Sequence, residues 1–262
     1  MTETIALFGG VYSNHIALAA LLEDAPRRGA TRIFCLGDLG AFGPHPDKVF
    51  PLLREARVSV VQGNYDNSIG HGLADCQCGY TDPQDNFFAR LSYEYTFKNT
   101  ASENKIWMRD LPNELRLVVN GVRILLCHGS PRKTNEFLWE TTTSIAFLEK
   151  LCDAFQADVI VATHTGLHWH RALPGGRHFV NCGAIGRPAN DGRRRVWYAL
   201  VRVAETKDVI VEFVPLEYDH ERLATEMRAE NLPDEFVETI ETGWWTTCLE
   251  VLPMKERARG VF

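Results

Sequence analysis

The sequence lacks any apolar run near the length of about 18 residues that a membrane-spanning helix requires. It also lacks an excess of positive charge: 28 lysines and arginines stand against 34 aspartates and glutamates, which gives a formal net charge of −6. An acidic balance disfavours general binding to nucleic acid or to anionic membranes. No basic segment followed by an apolar stretch opens the chain. We therefore expect a cytoplasmic protein without membrane or nucleic-acid partners, and the sequence indicates no oligomeric state.

Cysteine is sparse and its number is odd, with seven among 262 residues. Several of these cysteines lie in apolar segments, which favours reduced thiols and argues against a disulfide scaffold. Only Cys76 and Cys78 are close in sequence. We interpret them as two thiols on a surface loop.

The first third of the chain alternates short apolar runs with amphipathic stretches. The predicted strands and the helices between them are Thr4–Phe8, His15–Asp24, Thr31–Leu36, Asp47–Glu55 and Ser59–Val61. A β-α-β-α-β series of this kind predicts a parallel sheet.

The remainder of the chain predicts a second group of strands. A polar stretch at Ile69–Asn86 indicates an excursion from the core, and Asn120-Gly121 between two apolar runs indicates a hairpin. From His220 the pattern becomes helical and charged. We expect one α/β domain over residues 1–262: two sheets flanked by helices, with a core at about 4–215 and a helical C-terminal appendage at about 220–262.

Four metal-ligating side chains follow four separate predicted strands. They are Asp38, Asn64, His128 and His164, which we call the quartet. Ligands bind beyond the carboxyl ends of parallel strands. A carboxylate, an amide and two imidazoles suit a divalent ion such as Mn, Fe or Zn.

These residues belong to longer motifs that resemble the ordered blocks of calcineurin-like metallophosphoesterases, closest to the small bacterial and archaeal phosphodiesterase-like branch. The matching blocks are Gly37-Asp38, Gly63-Asn64-x-Asp66, His128-Gly129-Ser130-Pro131, Thr163-His164-Thr165 and Asn181 to Pro188. The resemblance spans roughly Thr4 to Pro215. It implies a two-sheet β-sandwich with helices on both outer faces, and a two-metal site that hydrolyses phosphate esters.

The chain departs from this family at three positions. Gly10-Val11-Tyr12 stands where the family has Asp-x-His, Tyr65 replaces the histidine of Gly-Asn-His, and Gly166 replaces the second histidine of Gly-His-x-His. The resemblance therefore implies that the quartet retains the ligands of one ion. Of the ligands for the other ion, it retains only the shared Asp38.

Three interpretations follow from this pattern. The quartet holds a single ion; or His168 and His170 rebuild the second site, so that two ions bind; or the site binds a phosphate-bearing small molecule without turnover. We favour a metal-dependent phosphoesterase, a hydrolase in which metal-bound water attacks a phosphodiester or small nucleotide. The alternative is a catalytically silent phosphate- or nucleotide-binding protein on the same fold.

Tyr65, Tyr12 and Arg187 are the candidates for orienting the phosphate. Tyr65 stands where the family has its acid, and Tyr12 follows the first strand. A guanidinium fork such as that of Arg187 suits phosphate oxygens. The alternative, slightly favoured for the two tyrosines, is that their rings fill the volume of the lost ion; for Arg187 it is a surface salt bridge.

Overall fold

The N-terminal β-α-β-α-β series forms the centre of the first sheet in the computed structural model, which describes residues 2–257. Across the sheet the strands are β10 (Val209–Leu216), β9 (Val196–Val203), β1 (Glu3–Phe8), β2 (Arg32–Cys35) and β3 (Ser59–Val60). Strands β1, β2 and β3 are parallel, as predicted, and β9 and β10 are antiparallel additions.

The second sheet also has five strands. In spatial order they are β4 (Glu114–Val119), β5 (Val122–Cys127), β6 (Val159–Ala162), β8 (Arg177–Cys182) and β7 (His168–Leu173). Strands β4 and β5 form the predicted Asn-Gly hairpin, and β5, β6 and β8 are parallel. The carboxyl ends of β5 and β6 therefore lie side by side.

The two sheets pack face to face, and apolar side chains from both sheets fill the space between them. Ile5 and Leu7 of β1 face the second sheet, whereas Ala6 and Phe8 face the helices outside the first sheet. A strand covered on both faces is expected to be apolar throughout. The predicted α/β fold of two sheets flanked by helices is confirmed.

The helices cover the outer faces and form the C-terminal part. They are α1 (His15–Arg27), α2 (Val49–Glu55), α3 (Asn64–His71), α4 (Pro83–Asn99), α5 (Ser102–Arg109), α6 (Ile145–Phe155), α7 (His220–Ala229), α8 (Asp234–Thr242) and α9 (Met254–Arg257). Within residues 2–257, no helix has the length and apolarity needed to cross a lipid bilayer.

One local prediction was wrong in its bounds. The predicted excursion begins too early, because α3 extends from Asn64 to His71 and leaves only residues 72–82 outside helices. The Asp66 carboxylate accepts the Gly63 N–H at 2.8 Å and so caps this helix. The segment around His168 forms strand β7, paired with β8.

Candidate metal centre

The loops after β2 and β3 carry Asp38 and Asn64, and one buried carboxylate joins these loops. Asp66 accepts the backbone N–H groups of Asp38 at 2.8 Å, Leu39 at 3.0 Å and Gly63 at 2.8 Å. Asp38 adopts a φ of +57°, a left-handed conformation that costs a non-glycine residue about 1 kcal/mol or more. The bonds from Asp66 hold the loop in this turn, with the Asp38 carboxylate directed into the site.

The two histidines follow the adjacent parallel strands β5 and β6. Nδ1 of His128 lies 2.6 Å from the carbonyl oxygen of Leu36. A carbonyl oxygen only accepts, so Nδ1 donates and Nε2 is the ring atom directed at the other ligands. His164 also has a left-handed backbone, with a φ of +67°.

Three of the four predicted ligands converge on one point. Nε2 of His128 lies 3.3 Å from Oδ2 of Asp38 and 3.1 Å from Nδ1 of His164. Metal–nitrogen bonds of about 2.0–2.1 Å in a tetrahedral site separate ligand atoms by about 3.3 Å. The spacing of these three residues therefore fits a metal ion.

Asn64, the fourth predicted ligand, has an unsatisfied carbonyl oxygen. Oδ1 of Asn64 is buried and has no hydrogen-bond partner, whereas Nδ2 donates to the Cys76 carbonyl at 2.8 Å. A buried acceptor without a partner is costly unless a ligand satisfies it. The residues of the quartet thus fit the divalent ion that the family uses.

At Asp38 and His164 the electrostatics favour the charge states that bind a metal, whereas at His128 the charge and hydrogen bond of Asp38 outweigh burial and raise the pKa, so an ion would replace a proton there. Burial alone would raise the pKa of Asp38, but the charge and hydrogen bond of His128 outweigh it and lower the pKa below its ordinary value. Burial, together with the charge of His128, lowers the pKa of His164 to about 3. His164 is therefore neutral at pH 7, and Asp38 is ionised.

Tyr65 does not direct its phenol at the quartet. Its hydroxyl donates to Ser92 Oγ at 3.0 Å and lies 3.4 Å from the Ala89 carbonyl, both on α4. Burial raises its pKa far above the ordinary value. What Tyr65 contributes to the site is its backbone N–H, which donates to Asp38 Oδ1 at 3.1 Å. A phosphate-orienting role for this side chain stays a prediction, and it requires the hydroxyl to leave Ser92 of α4.

The positions of the missing ligands are closed by other side chains. A Cβ atom on Gly10 would lie 2.9 Å from Tyr12 Cζ, and one on Gly166 would lie 3.0 Å from Trp245 Cη2. The guanidinium of Arg187, a residue 6 % exposed, lies 3.5 Å from the Trp245 ring centroid and 5.7 Å from that of Tyr12. The space beside Gly10 and Gly166 therefore does not fit side chains that would ligate a second ion. The packing of Tyr12 against Gly10 agrees with the interpretation that the tyrosine ring fills the volume of the lost ion.

Arg187 is not in a surface salt bridge within residues 2–257; besides Trp245, its guanidinium contacts the Phe42 ring at 4.9 Å. The charge of Arg187 acts on Tyr12, but burial dominates and raises the pKa of that phenol far above its ordinary value. A role for Arg187 in holding phosphate stays a prediction, and it requires Trp245 to move.

The proposed replacement ligands lie outside the quartet. The His168 ring stacks on Trp197 at 4.3 Å, and Nε2 of His170 lies 2.9 Å from Nδ1 of His178. Both residues belong to β7, and neither joins the group of ligand atoms formed by Asp38, His128 and His164. The structure therefore does not rebuild a second site from them.

Sequence reasoning missed three neighbours of the quartet. Cys76 and Cys78 are buried and joined by a disulfide beside Asn64, so their assignment as surface thiols was wrong. Phe137 covers His164, with 4.3 Å between the ring centroids. No sequence pattern indicated these three contacts. For Asp66, another neighbour of the quartet, the spacing from Gly63 is that of a helix cap and could be identified from the sequence.

An open groove of about 550 Å³ reaches the quartet at Asn64. Its lining is mostly neutral and polar, with one cation, and includes Gln62, Asn64, Asn67, Asn113, Lys133 and Asn135. The quartet itself is buried, so a solute would approach it through this groove.

Comparison with known proteins agrees with this geometry. The chain matches the calcineurin-like phosphoesterase superfamily domain over residues 4–206. It is 25% identical over 254 residues to an uncharacterized protein of Methanocaldococcus jannaschii, covering 91% of this chain and 98% of the relative.

Two solved structures share the fold. A hypothetical protein of Pyrococcus horikoshii superposes with a TM-score of 0.76 at 21% identity, and a metallophosphoesterase of Sphaerobacter thermophilus with a TM-score of 0.69 at 26% identity. Each alignment covers 93% of this chain and 100% of the other. With its two-sheet fold, its quartet and its match over residues 4–206, the chain belongs to the calcineurin-like phosphoesterase superfamily.

Proposed function

We propose that this protein is a metal-dependent phosphoesterase that hydrolyses a phosphodiester or a small nucleotide. The observation that carries the proposal is the convergence of Asp38, His128 and His164 ligand atoms beside the unpartnered Oδ1 of Asn64. The similarity to the Sphaerobacter metallophosphoesterase supports the same chemistry.

The quartet would hold Mn, Fe or Zn. Such an ion polarises a phosphoryl oxygen and lowers the pKa of a water molecule that it binds. Asp38 supplies the negative charge of the set, and the Leu36 carbonyl keeps His128 Nε2 directed at the site. On the groove side, the Lys133 ammonium pairs with phosphate charge and the neighbouring amides donate hydrogen bonds to the rest of the substrate.

The packing supports one ion per chain. Tyr12 and Trp245 occupy the space beside Gly10 and Gly166, where the resemblance places ligands of the other ion. A single-ion site lacks the symmetric clamp that two metals apply to the attacking and leaving oxygens. We therefore expect slower hydrolysis than a two-metal site supports.

A catalytically silent phosphate-binding protein is the second candidate, and burial of the quartet favours it. Asp38 is 4% exposed and His128 is 1% exposed. Phe137 lies over His164, and the disulfide lies beside Asn64. A phosphate group would bind in the groove without reaching the quartet unless one of these covers moves.

Metal content and hydrolysis separate the two candidates. We expect purified protein loaded with Mn²⁺ to bind one ion per chain and to hydrolyse bis(p-nitrophenyl) phosphate, and Asp38→Asn to lose both properties while keeping its circular dichroism spectrum. Asp47→Asn is the matched control, because Asp47 also accepts a backbone N–H, that of Ala101 at 3.1 Å, but lies outside the quartet. Metal binding without hydrolysis of mono- or diesters would favour the silent protein. Activity that survives Asp38→Asn would refute the site.

A further inference from the structure

The orientation of the Asn64 amide depends mainly on one acceptor outside the quartet, the Cys76 carbonyl. Nδ2 of Asn64 donates to the Cys76 carbonyl at 2.8 Å, and Oδ1 is buried without a partner. The two ends of an amide differ in chemistry: the oxygen ligates a cation, and the nitrogen does not. The Cys76 carbonyl therefore decides which end of the amide is presented to the ion.

The Cys76 carbonyl is part of the small ring that the Cys76–Cys78 disulfide closes. Gln77, between the two cysteines, has a φ of +52°, a left-handed conformation that a residue with a Cβ atom disfavours. Rotation about this φ angle changes the direction of the preceding peptide plane, which contains the Cys76 carbonyl. The disulfide prevents that rotation, so the ring holds the acceptor in place.

The other contacts of this segment hold different atoms. The Gln77 N–H donates to Asp75 Oδ1 at 2.8 Å, and Asn135 Nδ2 donates to the Gln77 carbonyl at 2.7 Å. Both bonds lie at the exposed surface, where water competes for them. The Gln77 N–H belongs to the same peptide plane as the Cys76 carbonyl, so once the ring opens this exposed bond is the remaining restraint on the carbonyl. The sulfur of Cys78, 3.5 Å from Asn64 Nδ2, is the weaker second contact to the amide.

We propose that the Cys76-Gln77-Cys78 ring is a positioning element whose redox state sets the metal affinity of the quartet. The disulfide form presents Asn64 Oδ1 to the ion. A dithiol or phosphine reductant supplies two electrons, and with two protons from solvent the S–S bond becomes two thiols, which frees the Cys76 carbonyl. This inference rests on the proposed function only in requiring that the quartet binds a metal.

Loss of a group that orients a metal ligand typically lowers metal affinity 10- to 100-fold. Thermodynamic linkage makes the effect reciprocal, so bound metal must make the disulfide harder to reduce by the same factor. For this two-electron couple, a tenfold change corresponds to a shift of about 30 mV in the reduction potential. A residue that only stabilised the fold would not couple the two equilibria in this way.

The experiment titrates the full-length protein with Mn²⁺ alone and measures free Mn²⁺ by electron paramagnetic resonance. We expect the aerobically oxidised protein to bind at least tenfold more tightly than the phosphine-reduced protein or Cys76→Ser/Cys78→Ser. Cys152→Ala, which removes a buried thiol on α6 away from the quartet, should bind as the wild type does. In Asn64→Asp, both ends of the side chain are oxygens, so the affinity should not depend on the redox state.

Three results would overturn the inference: oxidised and reduced proteins with equal affinity, tighter binding after reduction, or free thiols at Cys76 and Cys78 after aerobic oxidation. Equal affinities leave the proposed function standing, because the quartet would still bind Mn²⁺. If no form binds Mn²⁺, both this inference and the proposed function fail. Measuring the disulfide potential with and without Mn²⁺ provides the independent check.

Discussion

Replacing Trp245 by alanine tests whether the C-terminal segment supports the site. Trp245 is 4% exposed, its indole N–H donates to the Pro188 carbonyl at 2.6 Å, and its backbone N–H donates to Asn190 Oδ1 at 2.9 Å. Its ring also contacts the Arg187 guanidinium and covers Gly166. The substitution removes all these contacts except the one made by the backbone.

The expected loss is large because the ring is buried. Truncation of a buried tryptophan lowers the free energy of unfolding by about 3–5 kcal/mol. A desolvated cation–π contact contributes about 2 kcal/mol, and Arg187 loses one. We expect about 4 kcal/mol for Trp245→Ala. Trp245→Phe should lose less, because a ring remains and only the bond to Pro188 is removed.

Urea unfolding measures this loss, and the adjacent tryptophan provides the control. Trp244 is only partly buried and packs against Gly192. Trp244→Ala should therefore cost no more than about 1–2 kcal/mol, within the usual range for a partly buried side chain. Equal losses for the two alanine variants, or a loss below 1 kcal/mol for Trp245→Ala, would refute the reasoning.

Two further predictions concern carboxylate and histidine groups. Asp66→Ala should lower the Mn²⁺ affinity about 10- to 100-fold, because three backbone N–H groups lose the acceptor that joins the ligand loops. The control variant, Asp47→Ala, should leave the Mn²⁺ affinity unchanged. Equal Mn²⁺ affinities in the two variants would contradict this prediction. Burial and the charge of His178 lower the pKa of His170 to about 4, below the ordinary 6.5. The folded state thus resists protonation, and the stability that His170 contributes is lost as the pH falls from 6.5 to 4. Between these pH values His170→Gln, which does not titrate, should lose less free energy of unfolding than the wild type in urea titrations. Parallel pH profiles of the two proteins would show that protonation of the His170–His178 pair does not affect stability.

The sequence indicated the quartet because its members lie just beyond the ends of apolar strands. Asp38 follows β2, His128 follows β5 and His164 lies two residues after β6. The carboxyl ends of parallel strands meet at one edge, so linear order determines which residues approach each other. The same argument predicted the two sheets and the hairpin at Asn120-Gly121.

The sequence could not predict where the side chains around the quartet point. Tyr65 is adjacent to a ligand, yet its hydroxyl is held by Ser92 of α4, 27 positions further along the chain. His168 and His170 are near His164 in sequence, but a strand alternates its side chains and directs both onto a face away from the quartet. Their positions depend on pairing with β8, which sequence periodicity alone did not indicate.

The sequence by itself indicated the family, the two-sheet fold and four candidate ligands, because these depend on local apolar patterns and on the order of motifs. Only the tertiary structure decided that Tyr12 packs against Gly10 and Trp245 against Gly166, and that the Cys76 carbonyl accepts a hydrogen bond from the Asn64 amide. Trp245 and Gly166 are far apart in the chain. Contacts between such residues follow from the packing of the whole chain, and no local pattern records them.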